Sequence, residues 1–420
     1  MKKLIAVSAV AALAATALSA EITFGAWLRA LAAPVASDGK DTVTAAGNSW
    51  GYGARTARLN VNAKSEDGTA GFSMGIYNDV SMSLSAGDEA NLWIKPLDIV
   101  KVSYGKYDNN TLRGDLCYGS WNWLRPTSSW IAEDEGLLMS GNGATGLMAE
   151  VTPNENLYIQ ALVPITTTQT KADDTYKNIR AGFAYTIPGT AKIKAQYIGK
   201  GAGSKDAVAA KPEDKLEASD WEIKKDGTVG LKDSAKASAK QDGNSNCTLE
   251  AEVDVLAVEN LFLGVGFQYN NIKDADKSDK ADEQKMKIAL GATYQVNEDL
   301  KVSASGAFFS FYKVNDVKVD SRFQAGAGVD YNLGDGLSAN ADFRYLSKAG
   351  IDGTKGDNTD HIAFSAGIQK GFSNGYIGVA FQGQTNSGIF ANNVITGAKS
   401  DDGKADKFVW AIPVALSVWF

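Results

Sequence analysis

Residues 322–331 read Arg322-Phe323-Gln324-Ala325-Gly326-Ala327-Gly328-Val329-Asp330-Tyr331. Phe323, Ala325, Ala327, Val329 and Tyr331 fall at one parity; Arg322, Gln324, Gly326, Gly328 and Asp330 fall at the other. Side chains of a strand point alternately to opposite faces, so this stretch predicts a strand with one apolar and one polar face. The pattern recurs along the whole chain. Leu249, Ala251, Val253 and Val255 alternate with Glu250, Glu252 and Asp254; Ile362, Phe364, Ala366 and Ile368 alternate with Ser365, Gly367 and Gln369. Ile22, Phe24, Ala26 and Leu28 share a face, with Thr23, Gly25 and Arg29 opposite. Runs of about 9–11 residues are what a tilted strand needs to cross the hydrocarbon of a bilayer. Soluble sandwiches have the same period, usually with shorter strands.

Eighteen such segments are read, near 22–30, 51–63, 69–78, 88–95, 98–107, 145–151, 156–163, 179–187, 190–198, 248–258, 261–270, 285–296, 300–312, 320–332, 337–347, 361–371, 375–384 and 407–420. Between them, connections alternate in length. The short ones, such as Pro188-Gly189 and Asn297-to-Asp299, carry the Gly, Pro, Asn and Asp that tight turns require. The long ones are 31–50, 79–87, 108–144, 164–178, 199–247, 271–284, 313–319, 348–360 and 385–406. Short turns at one rim and long loops at the other are the asymmetry of a transmembrane antiparallel β-barrel, with short periplasmic turns and long extracellular loops. A chain that starts and ends at the short-turn rim needs an even strand number; eighteen is favoured and sixteen is second. Tyrosines at the apolar parity lie near strand ends: Tyr185, Tyr294 and Tyr331 at the short-turn side, Tyr104, Tyr197, Tyr269 and Tyr345 at the other. They are candidates for two interfacial girdles.

Composition narrows the classes of function. The 420 residues carry 42 basic and 49 acidic side chains; without Lys2 and Lys3 the balance is 40 to 49, a net of −9. That balance disfavours nucleic acid as a partner. Met1-Lys2-Lys3, the apolar run Leu4 to Ala15 and the small residues to Ala20 read as a signal peptide over 1–20, with Ala17 as an alternative cleavage point. Residues 21–420 then form one barrel domain. Past residue 20 no run of eighteen apolar residues predicts a membrane helix. Two cysteines, Cys117 and Cys247, are too few for a disulfide scaffold or a Cys-based zinc site, and an oxidising outer surface would permit them to pair. One histidine, His361 beside Asp360, gives little support to catalysis, and no phosphate-binding, zinc-protease or calcium-loop motif is found. The expectation is a protein that is not an enzyme and uses no cofactor or metal.

The opposite parity supplies the candidate lumen. Its basic side chains are Arg29, Arg58, Lys101, Arg180, Lys192, Lys194, Lys285, Lys287, Arg322 and Arg344; its acidic ones are Glu150, Glu250, Glu252, Asp254, Asp330 and Asp342. A Lys or Arg facing mid-bilayer lipid costs about 2–4 kcal/mol, so these side chains are expected in water. Arg180, Lys192 and Lys194 come from adjacent strands and form a basic patch. Glu250, Glu252 and Asp254 on the next strand can pair with it or oppose it across a constriction. A mildly basic wall predicts a wide channel with weak ion preference. In the last strand, Pro413 removes a ladder donor and predicts a bulge or local gap.

The chain resembles a porin. Asn91-Leu92-Trp93-Ile94-Lys95-Pro96-Leu97-Asp98-Ile99-Val100-Lys101-Val102-Ser103-Tyr104-Gly105-Lys106-Tyr107 is similar to the W-[IV]-K-P-x-D … G-[KR]-[FY] hairpin of spirochaete (treponemal) outer-membrane porin-like proteins. Phe420, ending an alternating strand, resembles the assembly signal of bacterial outer-membrane proteins. General trimeric porins have sixteen strands; eighteen resembles the sugar-specific and substrate-specific ones. The resemblance implies passive diffusion of small hydrophilic solutes, sugars among them, through a water-filled barrel in the cell outer membrane. It implies contact with outer-membrane lipid and with the barrel-assembly machinery through Phe420, and it leaves a homotrimer open. A surface adhesin or antigenic barrel with a closed lumen is the alternative.

The resemblance also draws attention to the third long connection, since in porins that loop often folds inward. Here 108–144 carries Arg113, Trp121, Trp123, Arg125, Trp130, Glu133, Asp134 and Glu135. Three of nine tryptophans in one connection is unusual for a solvated segment, because exposed Trp needs an apolar partner or ligand. They would either stack against sugars or anchor the loop to the wall. Connection 199–247, rich in Ala, Lys, Asp, Gly and Ser, is expected to be a mobile surface loop.

Overall fold

The structure, a computed structural model, describes residues 20–37, 42–46, 55–79, 84–108, 111–114, 124–125, 139, 141, 143–165, 172–201, 215–217, 220–223, 229–232, 236, 245–272, 283–313, 321–347, 360–385 and 408–420. Eighteen strands, each antiparallel to the next, close into a barrel. They are β1 (Ala20–Ser37), β2 (Arg55–Ser65), β3 (Ala70–Asp79), β4 (Leu84–Leu97), β5 (Val100–Tyr107), β6 (Ala144–Asn154), β7 (Leu157–Pro164), β8 (Arg180–Ile187) and β9 (Ala191–Gly199). The second half comprises β10 (Cys247–Val255), β11 (Leu261–Ile272), β12 (Glu283–Gln295), β13 (Leu300–Lys313), β14 (Arg322–Gly334), β15 (Leu337–Leu346), β16 (His361–Phe372), β17 (Gly375–Thr385) and β18 (Phe408–Trp419). Each of the eighteen alternating segments corresponds to one of them.

Closure pairs β1 with β18, from Trp27 opposite Trp419 to Ser37 opposite Trp410. Phe420 adds two backbone bonds, donating to Ala26 at 2.8 Å and accepting from it at 3.0 Å. The irregularity expected at Pro413 is present on both sides. Toward β1, the register slips by one residue between Ala32 and Val35, a span that also contains Pro34; toward β17, the ladder skips Ala380 and Phe381. Proline has no N–H to donate, so the two prolines face each other where the ladder breaks.

The exterior is apolar. Phe24, Phe183, Val265, Leu290, Phe308, Phe343 and Ile368 are exposed, whereas the residues beside them in the strand are small or polar for the most part, such as Gly264 and Gly266 around Val265 and the buried Asp342 and Arg344 around Phe343. Only lipid accommodates such a belt without cost, and closure satisfies every edge within it. Of the seven girdle candidates, Tyr104, Tyr185, Tyr197, Tyr294 and Tyr331 are exposed near strand ends, while Tyr269 and Tyr345 are half-buried.

Three local features differ from the sequence reading. β4 begins at Leu84, so the connection read as 79–87 shortens to four residues, 80–83; Ala86 and Ser85 complete the ladder opposite Ile76 and Tyr77. Polar and glycine residues obscured that half of the strand, whereas ladder pairing does not need apolar side chains. Connection 31–50 is partly an extension of β1, paired with a short strand Thr42–Ala46. Connection 199–247, expected to be a mobile surface loop, contains a short antiparallel pairing of Trp221–Ile223 with Val229–Leu231, residues that include the β-favouring Trp221, Ile223 and Val229. A five-residue helix, α1 (Ala172–Tyr176), precedes β8.

The short turns hold their own side-chain bonds. In the β2–β3 turn, Asp67 accepts from the Ser65 hydroxyl (2.6 Å) and from the Thr69 N–H (3.0 Å) and hydroxyl (2.9 Å). The Ser65 bond first, then those of Thr69, hold the Asp67 carboxyl below its ordinary value. A depressed pKa in the folded state stabilises the turn above the unfolded pKa, and this is lost as pH falls through the folded value. Protection of the Thr69 amide against hydrogen exchange is therefore expected to fall on acidification below pH ~4. In Asp67→Asn that dependence should vanish; equal pH dependence in both proteins would contradict it.

Candidate functional site

The polar face of the strands encloses the interior, and the charges there are arranged in clusters. On β9 and β10, Lys194 lies opposite Glu252 in the ladder. Its ammonium is 2.7 Å from Glu252 Oε1 and 3.3 Å from Asp254 Oδ2, with all three side chains almost fully buried. One position further along, Glu250 accepts from the carboxamides of Gln196 on β9 and Gln268 on β11. Register places these groups on one face and in adjacent strands, so pairing rather than opposition is what the wall forms. The expected Arg180–Lys192–Lys194 patch is thereby divided. Lys194 is neutralised inside a carboxylate cluster, while Arg180 donates to the Gly143 carbonyl and Lys192 lies at the edge of a cavity.

A second cluster involves connection 108–144. Arg125 is buried with its guanidinium between Asp330 of β14 and Asp342 of β15; Nε is 2.9 Å from Asp342 Oδ2. Arg344 stands 3.6 Å from the same Asp342, and Lys301 stands 3.5 Å from Asp330. Asp330 and Asp342 are four and five residues from the short-turn ends of their strands, yet Arg125 belongs to a connection leaving the opposite rim. Asp342 stands near the middle of β15 and Asp330 in the lower half of β14, so Arg125 has descended to about mid-height.

Its neighbour Leu124 is fully buried among Ala33, Ala36, Ala380, Val409, Ala411 and Ala415, against Tyr376. Gly378 of β17 makes room for it: a Cβ there would meet Leu124 Cδ1 at 2.4 Å. Earlier in the connection, Leu112 is buried against Gly182 of β8, where a Cβ would lie 2.4 Å from Leu112 Cδ1. β8 and β17 are nine strands apart in a ring of eighteen, so the two contacts are on opposite walls. With strands about 4.8 Å apart and tilted by about 40°, such a ring is roughly 36 Å across. Twelve residue steps reach about 40 Å, enough to bridge it.

A third group is carried by β1–β7. Arg58 is 3.5 Å from Glu89 and 4.0 Å from Asp108 and lies over the Tyr77 ring. Tyr77 packs edge-on against Trp27, whose indole lies beneath Arg29. Lys101 pairs with Glu150 at 2.8 Å, and the Tyr158 hydroxyl donates to Glu150 at 2.8 Å. Trp93 packs over Gly71, where a Cβ would come within 2.4 Å of its ring, and stands beside Lys95 and Lys101. A cavity of about 640 Å³ opens near the short-turn ends of β6–β9, lined among others by Thr111, Asn156, Tyr158, Thr186 and Lys192.

Lys287 and Arg322 are buried on β12 and β14, and Arg322 donates to the Ser347 carbonyl at 2.8 Å. Arg113 is half-buried. Trp121, Trp123, Trp130, Glu133, Asp134, Glu135, Cys117 and the side chains of Lys285 and His361 lie outside the described residues. The sequence reading missed Trp27, Tyr77, Trp93, Tyr158, Glu89, Asp108 and Lys301. Trp27 and Trp93 stand at the polar parity of their strands, a signal that was available; Glu89 lay inside the segment read as 88–95, at the parity of Asn91 and Trp93, and Asp108 lay in a stretch read as loop. Among the described residues no group of three or more His, Cys, Asp or Glu side chains is placed to hold a metal ion.

No family model matches the chain, and no curated protein does. Solved structures do. The chain is similar to OccAB1 of Acinetobacter baumannii, with 10% identity, 96% of each chain covered and a TM-score of 0.52. It is similar to OccK11 (OpdR) of Pseudomonas aeruginosa, with 9% identity, 95% of this chain and 96% of that one covered, and a TM-score of 0.51. With an anion-selective porin from Comamonas acidovorans it shares 11% identity over 96% of this chain and 100% of the other, with a TM-score of 0.50. The fold is that of the porin-type β-barrels of bacterial outer membranes.

Proposed function

We propose that the protein is an outer-membrane porin that lets small hydrophilic solutes diffuse passively through its barrel. The observation that carries this reading is the pairing of an apolar exterior with a charged, polar interior inside a closed eighteen-strand ring. A closed, lipid-facing barrel has no reason to place Arg58, Lys101 and Glu150 inside unless water reaches them. No catalytic step belongs to this reading.

The finer features are proposals of the same kind. Residues 1–20 are an export signal, and Phe420 engages the assembly machinery. Arg113, Trp121, Trp123, Arg125, Trp130 and Glu133 to Glu135 narrow the channel. A relationship to the spirochaete porin-like proteins is proposed from the similarity of the hairpin ending in Gly105-Lys106-Tyr107. Sugars are candidate solutes, and a homotrimer is a candidate assembly. The adhesin alternative needs a sealed lumen.

Purified protein in planar bilayers separates the two. Stepwise single-channel conductance is expected, and maltooligosaccharides that enter should lower it transiently. A correctly folded barrel that passes no current would reject the porin reading in favour of the sealed one.

A further inference from the structure

The ring is weakest where it closes. From Trp27 opposite Trp419 to Ala32 opposite Val414 the β1–β18 ladder is continuous; beyond the break only Val35, Ala36 and Ser37 find partners, in Ile412, Ala411 and Trp410. Pro413 has no ladder partner on either side, because the β17 ladder also passes from Val379 opposite Val414 to Gln382 opposite Ala411. On its other edge β1 pairs with β2 no further than Leu28 opposite Ala57, among the described residues. The short strand Thr42–Ala46 covers that edge, but it is the next segment of the same chain and in the described ladders pairs with β1 alone. The outer part of β1 is therefore tied to the ring by three ladder positions that lie beyond a gap.

The residues around the gap share a second property. Ala411 and Ala415 flank Pro413 at its own parity, and Ala33 and Ala380 lie in the stretches that face it without pairing. All four are buried in the cluster that Leu124 fills, together with Ala36 and Val409. The seat is lined mostly by methyl groups, and Gly378 beside it has no side chain at all, so Leu124 reaches the wall itself. Around the seat the inward positions turn polar again, at Gln382, Gln384 and Ser417. An apolar patch is out of keeping with the polar inner face of a barrel, and this one coincides with the stretch where the closing strand has lost both ladders.

We infer that Leu124 is the clasp of the barrel: its side chain bridges β1, β17 and β18 across the gap at Pro413 and holds the seam where the backbone does not. Proline supplies no ladder donor, and an open edge within the hydrocarbon is costly. Dry packing from the inside keeps lumen water out of the gap. Burying a leucine side chain contributes about as much as two ladder hydrogen bonds do net, so one residue replaces what Pro413 removes. Arg125, next in the chain, is bound to β14 and β15, which fixes the clasp to a second part of the ring. Seating of Leu124 and closure of the ring thus form one cooperative event. The clasp stands on closure and not on conduction, so a sealed lumen would leave it intact.

Hydrogen exchange read by mass spectrometry on the full-length protein, refolded in detergent, is the test. In Leu124→Ala the amides of 30–37 and 409–415 should exchange about tenfold faster or more, while 285–294 of β12, which has unbroken ladders on both sides, keeps its protection. In a Pro413→Ala background the same substitution should change the seam less, because a ladder donor is restored there. Val35→Cys/Ile412→Cys joins two ladder partners; with Cys117→Ser and Cys247→Ser, the oxidised protein should lose its sensitivity to Leu124→Ala and regain it on reduction. Should Leu124→Ala not refold by itself, this locked form decides: refolding when oxidised supports the clasp, and failure there, where the Leu124 parent with the same lock folds, overturns it. Exchange that rises as much in 285–294 as at the seam would mean general loosening, and unchanged exchange at the seam would mean that Leu124 only fills space; either result overturns the clasp.

Discussion

Arg125→Ala is expected to release the inward connection and open the channel, raising single-channel conductance severalfold. Arg125 bridges two strands, and its partners Asp330 and Asp342 lie more than two hundred residues away in sequence. Removing it leaves Asp342, fully buried, with Arg344 at 3.6 Å as its described counter-ion. Breaking a buried ion pair from one side costs about 3–5 kcal/mol, enough to loosen the segment that Arg125 anchors. Lysine should not substitute well, since a point charge cannot engage two carboxylates with the planar geometry of a guanidinium. The wall offers an independent test. Gly378→Leu puts side-chain atoms where Leu124 Cδ1 now lies, and should detach the same segment without altering any charge. Unchanged conductance in both variants would show that this anchor does not control the opening.

Lys194→Met should produce the largest loss of stability of any single change in the wall. The substitution is close in size but leaves Glu252 and Asp254 buried without their cation, beside Glu250 on the same strand. Alternate strand residues are about 7 Å apart, so three carboxylates would repel one another in a dry compartment. A loss of about 3–5 kcal/mol is expected in denaturant unfolding of the refolded barrel. The triple variant Lys194→Met/Glu252→Gln/Asp254→Asn, which removes the whole ionic group, should recover most of it. If the single variant unfolds at the same denaturant concentration as the parent, the cluster is hydrated and the buried-pair argument fails with it.

Strand parity, strand number and the girdle tyrosines were legible in the sequence because each is a local property. Alternation at 322–331 or 249–255 needs only the covalent geometry of a strand and the requirement that a barrel present one face to lipid. The alternation of short and long connections likewise follows from chain order. What misled was a local break: the ladder to β3 shifts register between Ala86 and Ala90, where Gly87, Asp88 and Glu89 interrupt the alternation, although Leu84 to Ala86 are paired with β3.

The lumen charges were identified by parity, but their roles were not. Whether Lys194 acts as a free cation or as half of a buried pair depends on the β9–β10 register, which places Glu252 directly opposite. The contact of Arg125 with Asp330 and Asp342 depends on closure of the whole ring and on how deep a connection descends. Neither quantity has a local signature, since both are distances between segments far apart in the chain. The amino-acid sequence by itself determined an even-stranded, lipid-facing barrel with a polar interior, because alternation and turn chemistry act over neighbouring residues. Only the tertiary structure decided which interior charges are dry and paired and which remain in water, because burial and electrostatic pairing are settled where distant strands and an inward connection meet.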